Sequence, residues 1–278
     1  MKVRFWGVRG SFATPGPEYV RYGGNTTAVE IIAESGQRLL IDLGTGVTEY
    51  AKELMKGEFS RGYGTLPILL SHTHIDHIQG LPFFTPFFIK GNRIEIVGDN
   101  PLEMTLKEVF QKQLNPHYSP LNGLENLAAG VKVEATGPGS SLPVEGFEVS
   151  AARVPHGGIW TLGFRISADG YTVTFLSDVE YPEETGPTPE ALDLAQDSDL
   201  LIHDATYADA DYESRRGWGH SSVSMAIEVA QRAQARQLAL FHHSSDSTDV
   251  YLDRIVADAR DKTNVPLFAA AEGEIIEL

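Results

Sequence analysis

The sequence predicts an α/β fold built on mixed β-sheets, and three observations lead there. Apolar runs of strand length recur between Gly- and Asn-containing turns along the chain. In places these runs alternate with helical patterns. In the middle they follow one another directly, with Asp169-Gly170 as a hairpin turn between two of them. A doubly wound parallel sheet requires regular alternation of strand and helix, so meanders combined with alternation indicate mixed sheets.

Taken in order, Val3–Phe5, Ala28–Ile32 and Leu39–Asp42 read as strands, each a short apolar or alternating run. Gly44-Thr45-Gly46 opens an expected helix through Thr48–Lys56. Leu66–Leu70 is apolar without interruption, the mark of a buried strand. Ile94–Val97 is a further strand, and Leu102–Leu114 has helical character. The strand-rich middle holds Val131–Glu134, Phe147–Val154, Thr161–Ser167 and Tyr171–Ser177. Leu200–His203 is a short buried strand. Val223, Ala226, Ile227 and Ala230 share one helical face, which predicts an amphipathic helix over Ser222–Ala235. Leu238–Phe241 is a strand and Tyr251–Asp261 a helix. Leu267–Ala270 and Glu274–Glu277 close the chain as strands around a turn at Gly273.

No linker or low-complexity tract divides the 278 residues, which points to one domain, residues 1–278. Lys and Arg number 22 against 38 Asp and Glu, a net charge of −16. Such a surface repels phosphate backbones and argues against extended nucleic acid as a partner. The chain has no cysteine, which excludes disulfides, thiolate metal sites and cysteine nucleophiles, and fits a reducing, cytoplasmic compartment. Its longest apolar run, Ile78–Ile89, is broken by Gln79, Gly80, Pro82 and Pro86 and is too short to span a bilayer. No signal-peptide core precedes the first strand, so no membrane association is expected.

The chemistry concentrates in Ser71-His72-Thr73-His74-Ile75-Asp76-His77, directly after the buried strand Leu66–Leu70. Residues i and i+2 of an extended segment point to one side, so His72 and His74 project together. Asp76 and His77 fall where the chain turns and can aim at a second point nearby. That layout suits two adjacent metal ions, and imidazole with carboxylate suits zinc, manganese or iron. Other polar residues sit at or just past strand ends: His156, Asp178, His203, Asp204, His242 and His243. Side chains at several strand ends can converge on one sheet edge, although any one of them alone reads as a structural residue. His220, in Gly219-His220-Ser221-Ser222, stands just before a helix, where free backbone N–H groups favour a phosphate-like anion or simply a cap.

These residues together resemble the metallo-β-lactamase superfamily, and within it the ribonuclease Z and small-phosphodiesterase branch, over essentially the whole length. His72-x-His74-x-Asp76-His77 matches the superfamily signature, and Asp42 the aspartate on the preceding strand. Gly219-His220-Ser221-Ser222 is similar to the branch's Gly-His-Ser-Thr motif. Ile202-His203-Asp204-Ala205-Thr206 is similar to its His-Glu-Ala-Thr motif, with a carboxylate one methylene shorter. The N-terminal Phe5–Ser11 and Tyr22–Thr26 also look like a bacterial subgroup of these hydrolases.

The resemblance implies an αββα sandwich of two mixed β-sheets flanked by helices. It implies two divalent metal ions, zinc or manganese first and iron also admitted. One would be held by His72, His74 and His156, the other by Asp76, His77 and His242, with Asp178 bridging. His243 competes with His242 for the last place, and His-x-Ser is the branch pattern. It further implies hydrolysis by a metal-bridging hydroxide, which Asp76 orients, with His220 and Asp204 handling the developing charge. Ribonuclease Z carries a projecting basic arm for tRNA. None is found here, so the expected substrate is a small phosphodiester, with cyclic nucleotides among the candidates. A tRNA 3′-processing activity, thioester or lactone hydrolysis, a diiron redox site and a metal sensor without turnover are the alternatives. The aromatics of Leu81–Phe88 are expected either to stack on a base or to serve as core or homodimer contacts.

Overall fold

The computed structural model describes residues 1–100, 103–137 and 139–278. Its strands are β1 (Lys2–Gly7), β2 (Ala28–Ile32), β3 (Arg38–Ile41), β4 (Thr65–Leu70), β5 (Arg93–Gly98), β6 (Gly130–Ala135), β7 (Ser141–Val144), β8 (Phe147–His156), β9 (Ile159–Ala168), β10 (Tyr171–Leu176), β11 (Leu200–Asp204), β12 (Leu238–Phe241), β13 (Leu267–Ala269) and β14 (Ile275–Glu277). They form two seven-stranded sheets, ordered β14-β1-β2-β3-β4-β5-β6 and β13-β12-β11-β10-β9-β8-β7. Both are mixed. In the first, β14 to β3 pair antiparallel and β3 to β6 parallel. In the second, β7 to β10 pair antiparallel and β10 to β13 parallel.

Strand alternation separates three apolar layers. Phe5, Ile31, Leu39 and Ile41 of the first sheet meet Phe164, Phe175, Ile202 and Phe241 of the second. Burying each of these side chains is worth roughly 1.5–3 kcal/mol. The intervening residues face outward. Leu40, Ile68 and Leu70 pack under α1 (Val47–Leu54), α2 (Ile75–Ile78) and α3 (Leu106–Gln113). Leu176, Leu201 and Leu240 pack under α4 (Pro189–Ala195) and, beyond α5 (Asp209–Tyr212), α6 (Val223–Arg232) and α7 (Asp249–Arg260). The result is the αββα sandwich that the resemblance implied.

Differences from the sequence reading lie mainly at element ends. The helix expected from Leu102 begins after Thr105, whose hydroxyl accepts from Glu108 N–H in a reciprocal capping box. Leu102 itself lies outside the described residues. Asp42 leaves its strand with φ 64°. The last helical turn expected before Ala235 stops at Arg232, and Ser222 caps the start by accepting from Met225 N–H. The edge strand β7 and the helix α4 were not expected. Among the described residues no helix is long and apolar enough to cross a membrane.

Candidate metal centre

Most site residues occupy the carboxyl end of a strand or the segment just beyond it, whereas His220 precedes α6. His72 and His74 follow β4, and His74 is the N-cap of α2, which carries Asp76 and His77. His156 is the last residue of β8 and Asp204 the last of β11. Asp178 follows β10 with φ 54°, and His242 follows β12 with φ 59°. Non-glycine residues rarely adopt such values, and they persist where the surroundings fix them, commonly at functional sites. Strands β10, β11 and β12 run parallel, so their carboxyl ends share one edge of the second sheet. The end of β4 meets that edge, for Leu162 N–H donates to Ser71 C=O at 2.8 Å.

The structure brings all seven residues expected to hold metal into two adjoining clusters. His72, His74, His156 and Asp178 place ligand atoms within 4.8 Å of one another, and so do Asp76, His77, Asp178 and His242. Asp178 belongs to both. Its Oδ2 lies 3.1 Å from His77 Nε2 and its Oδ1 3.2 Å from His242 Nε2. Yet Nε2 of His72 and of His77 are buried with no hydrogen-bond partner. A buried polar atom left unpaired is costly, and two of them aimed at carboxylates mark places for cations. Burial, reinforced by neighbouring histidines, pushes His72, His74 and His156 towards the neutral imidazole that a cation needs. Burial also opposes charge on His77, but Asp178, Asp76 and Asp42 hold it well above the usual range. Burial would raise Asp76, but the charge of His77 and the hydrogen bond from His242 hold it well below the usual carboxylate range. The donor set and the orphaned nitrogens fit two divalent cations.

An outer layer orients the rings, and much of it was not legible in the sequence. Asp42 Oδ2 accepts from His77 Nδ1 at 2.7 Å and also binds Ser71. His156 Nδ1 donates to Gly219 C=O at 2.6 Å. A Cβ on Gly219 would lie 2.4 Å from that ring, and its φ of 93° also favours glycine. His242 Nδ1 meets Thr206 Oγ1 at 3.0 Å. Such contacts fix the tautomer and leave the other nitrogen for a metal. Ser11 N–H donates to Asp76 Oδ2 at 2.7 Å. Gly10 lies so close to His242 that a Cβ would sit 2.2 Å from the ring.

His220 and Asp204 form a third group with His242. Their separation, His220 Nδ1 to Asp204 Oδ2, is 2.9 Å, so the shorter carboxylate reaches its partner. Thr206 Oγ1 donates to the other oxygen of Asp204 at 2.7 Å. Burial alone would lower His220, but the charge and hydrogen bond of Asp204 push it up to about 9. His243 turns away from the clusters, and its Nε2 donates to Ala270 C=O at 2.9 Å. That places His242, not His243, at the centre. His203 spends both nitrogens on Asp204 C=O and Tyr181 Oη. Arg9 is fully buried on the carbonyls of Gly23, Ser244 and Ser247, and Asn25 is bound to Glu272, so neither offers itself to a substrate. Within Leu81–Phe88, Phe84 and Phe87 are core residues, whereas Phe83 and Phe88 are exposed.

Residues 37–243 match the family described as the beta-lactamase superfamily domain. The chain belongs to the metallo-β-lactamase superfamily. This metallo-β-lactamase-fold hydrolase is 25% identical to a ribonuclease Z of Halorubrum lacusprofundi, over 89% of this chain and 90% of that protein. Among solved structures it resembles the metallo-β-lactamase fold protein YhfI from Bacillus subtilis, with TM-score 0.71 and 22% identity. That match covers 100% of this chain and 98% of YhfI. The short form of human tRNase Z superposes with TM-score 0.69 at 24% identity, covering 100% of this chain and 99% of that one. The hydrolase is thus similar to a ribonuclease Z over nearly its whole length, and its fold implies divalent metal ions.

Proposed function

We propose that this hydrolase is a dinuclear phosphodiesterase acting on a small phosphodiester, cyclic nucleotides among them, with zinc or manganese as its two cations. His72, His74 and His156 would hold one cation and Asp76, His77 and His242 the other, with Asp178 between them. The observation that carries this reading is the Asp204–His220 pair, set against the second cluster through His242. A lone metal cluster suits many hydrolyses, whereas a protonated imidazole beside it suits an anionic phosphoryl group with a leaving oxygen to be protonated. The net charge of −16 supports a small substrate over a polynucleotide.

When bound, the two cations make water nucleophilic near neutral pH and clamp the oxygens of an in-line displacement. The chain's own residues do the rest. Asp76, ionised and held by the Ser11 N–H, orients the attacking water. His220 donates its Nε2 proton to the developing charge and then to the leaving oxygen. Asp204 accepts from Nδ1 of the same ring and keeps it charged and aligned. Protein loaded with zinc or manganese is expected to cleave bis(p-nitrophenyl) phosphate, and His74→Ala to lower the rate at least about 100-fold. Turnover of a thioester or lactone without diester cleavage contradicts the proposal. The near full-length likeness to ribonuclease Z favours tRNA 3′-processing as the second reading. Cleavage of a 3′-extended tRNA precursor far faster than of the small diester would move the assignment there.

A further inference from the structure

A cavity of 480 Å³ opens beside the first cluster, walled by Ser71, His72 and His74 on one side and by Arg153, Trp160 and Asp99 on the other. Its size is that of a small-molecule site. Trp160 and Arg153 stand on the β8–β9 hairpin, where Pro155 pairs with Trp160 and Arg153 with Leu162. Directly opposed residues share a face, and so do residues two apart along a strand. Trp160 and Arg153 therefore extend the face on which Leu162 and Phe164 are buried between the sheets. At the sheet edge that face is no longer covered, and Trp160 is 58% exposed. Leaving so large an apolar ring in water beside a metal centre costs hydrophobic burial that this face obtains elsewhere. Arg153 is only partly engaged. Its Nε donates to Asp99 Oδ2 at 2.6 Å, and among the described residues nothing accepts from Nη1 or Nη2. The phenylalanines of Leu81–Phe88, the stacking candidates in the sequence, do not line this cavity.

We propose that Trp160 and Arg153 form the subsite for a planar aromatic group carried by the organic moiety that is esterified to the scissile phosphate, an aryl group directly or a nucleobase through its sugar. Trp160 stacks on the ring, and the Nη donors of Arg153 meet acceptors at its edge. The assignment deepens the phosphodiesterase reading and rests on it for the chemistry at phosphorus. Nucleobase and simple aryl group share the recognised chemistry, and their binding separates them. His220 and Asp204 do not line the cavity, so the ring is bound apart from the proton donor.

The test compares three ligands on zinc-loaded protein by calorimetry: adenosine 5′-monophosphate, p-nitrophenyl phosphate and ribose 5-phosphate. Wild type is expected to bind the aromatic ligands about tenfold more tightly than the sugar phosphate, as one stacked ring provides. Trp160→Ala is expected to abolish that ratio and Trp160→Phe to keep most of it. A preference for both aromatic ligands identifies a general aryl subsite, and a preference for the nucleotide alone a nucleobase subsite. An equal affinity for all three in wild type, no binding of any, or an unchanged ratio in Trp160→Ala overturns the proposal. Bis(p-nitrophenyl) phosphate turnover by the same samples tests the chemistry separately. A Trp160-dependent ratio without turnover sinks only the phosphodiesterase reading, and turnover with a Trp160-independent ratio sinks only the subsite.

Discussion

Asp204 carries two duties at one carboxylate. One oxygen accepts from His220 at 2.9 Å and the other from Thr206, which in turn meets His242. The pair raises His220 from its usual 6.5 to about 9. Because the folded value is the higher one, the stability drawn from this proton is complete below about pH 6.5 and is lost as pH rises through about 9. In metal-free protein, His220 is expected to remain doubly protonated at pH 7.5 by ¹⁵N NMR, and Asp204→Asn to lower its titration by more than about one pH unit. An unchanged titration in that variant would remove Asp204 from the role. His220→Ala is expected to cost roughly 10²–10³ in kcat. His72, His74, Asp76 and His77 were legible in the sequence because their spacing alone encodes a geometry. His156, Asp178 and His242 were legible only as strand-end residues until the resemblance joined them. Thr206 and Ser11 entered the sequence reading only as members of motifs, with no role of their own, since a hydroxyl or an amide acquires its role from the partner that the fold brings to it.

At the scale of elements, strand ends set the ligands and one loop clamps them. Residues Val8–Ser11 touch two members of the second cluster, His242 and Asp76. Gly10 N–H donates to His243 C=O and His243 N–H to Val8 C=O, which ties the loop to the turn carrying His242. Gly10 lies against the His242 ring, and Ser11 N–H holds Asp76. Gly10→Ala is therefore expected to displace His242 and to weaken the second metal about 10–100-fold, the usual cost of disturbing a ligand's support, while the first site holds. A zinc titration by calorimetry reads this directly, and two unperturbed sites would refute the clamp. Strands β3, β4, β11 and β12 were legible because layers on both faces bury them, so their apolar runs are nearly continuous. The edge strand Ser141–Val144 has only one pairing neighbour, and its Ser-Leu-Pro-Val run holds a serine and a proline that argue against a strand in the sequence. Pro189–Ala195 did carry a start signal in Thr188-Pro189, but seven residues give too few turns for periodicity to declare a helix.

Across the whole molecule, the centre is a joint between two sheets. His72, His74, Asp76 and His77 come from the first sheet, and His156, Asp178 and His242 from the second. Periodicity identified mixed sheets but could not say which faces which, because strand patterns record burial and not partner. The sandwich came from the resemblance alone. The inter-sheet core of fully buried aromatic and aliphatic side chains is continuous behind the site, so the ligands are organised before any cation arrives. The most direct test is anomalous diffraction from crystals grown with zinc or manganese. The account requires two peaks, one enclosed by His72, His74 and His156 and one by Asp76, His77 and His242, with Asp178 between them. A single peak, or peaks elsewhere with these side chains undisturbed, would contradict it.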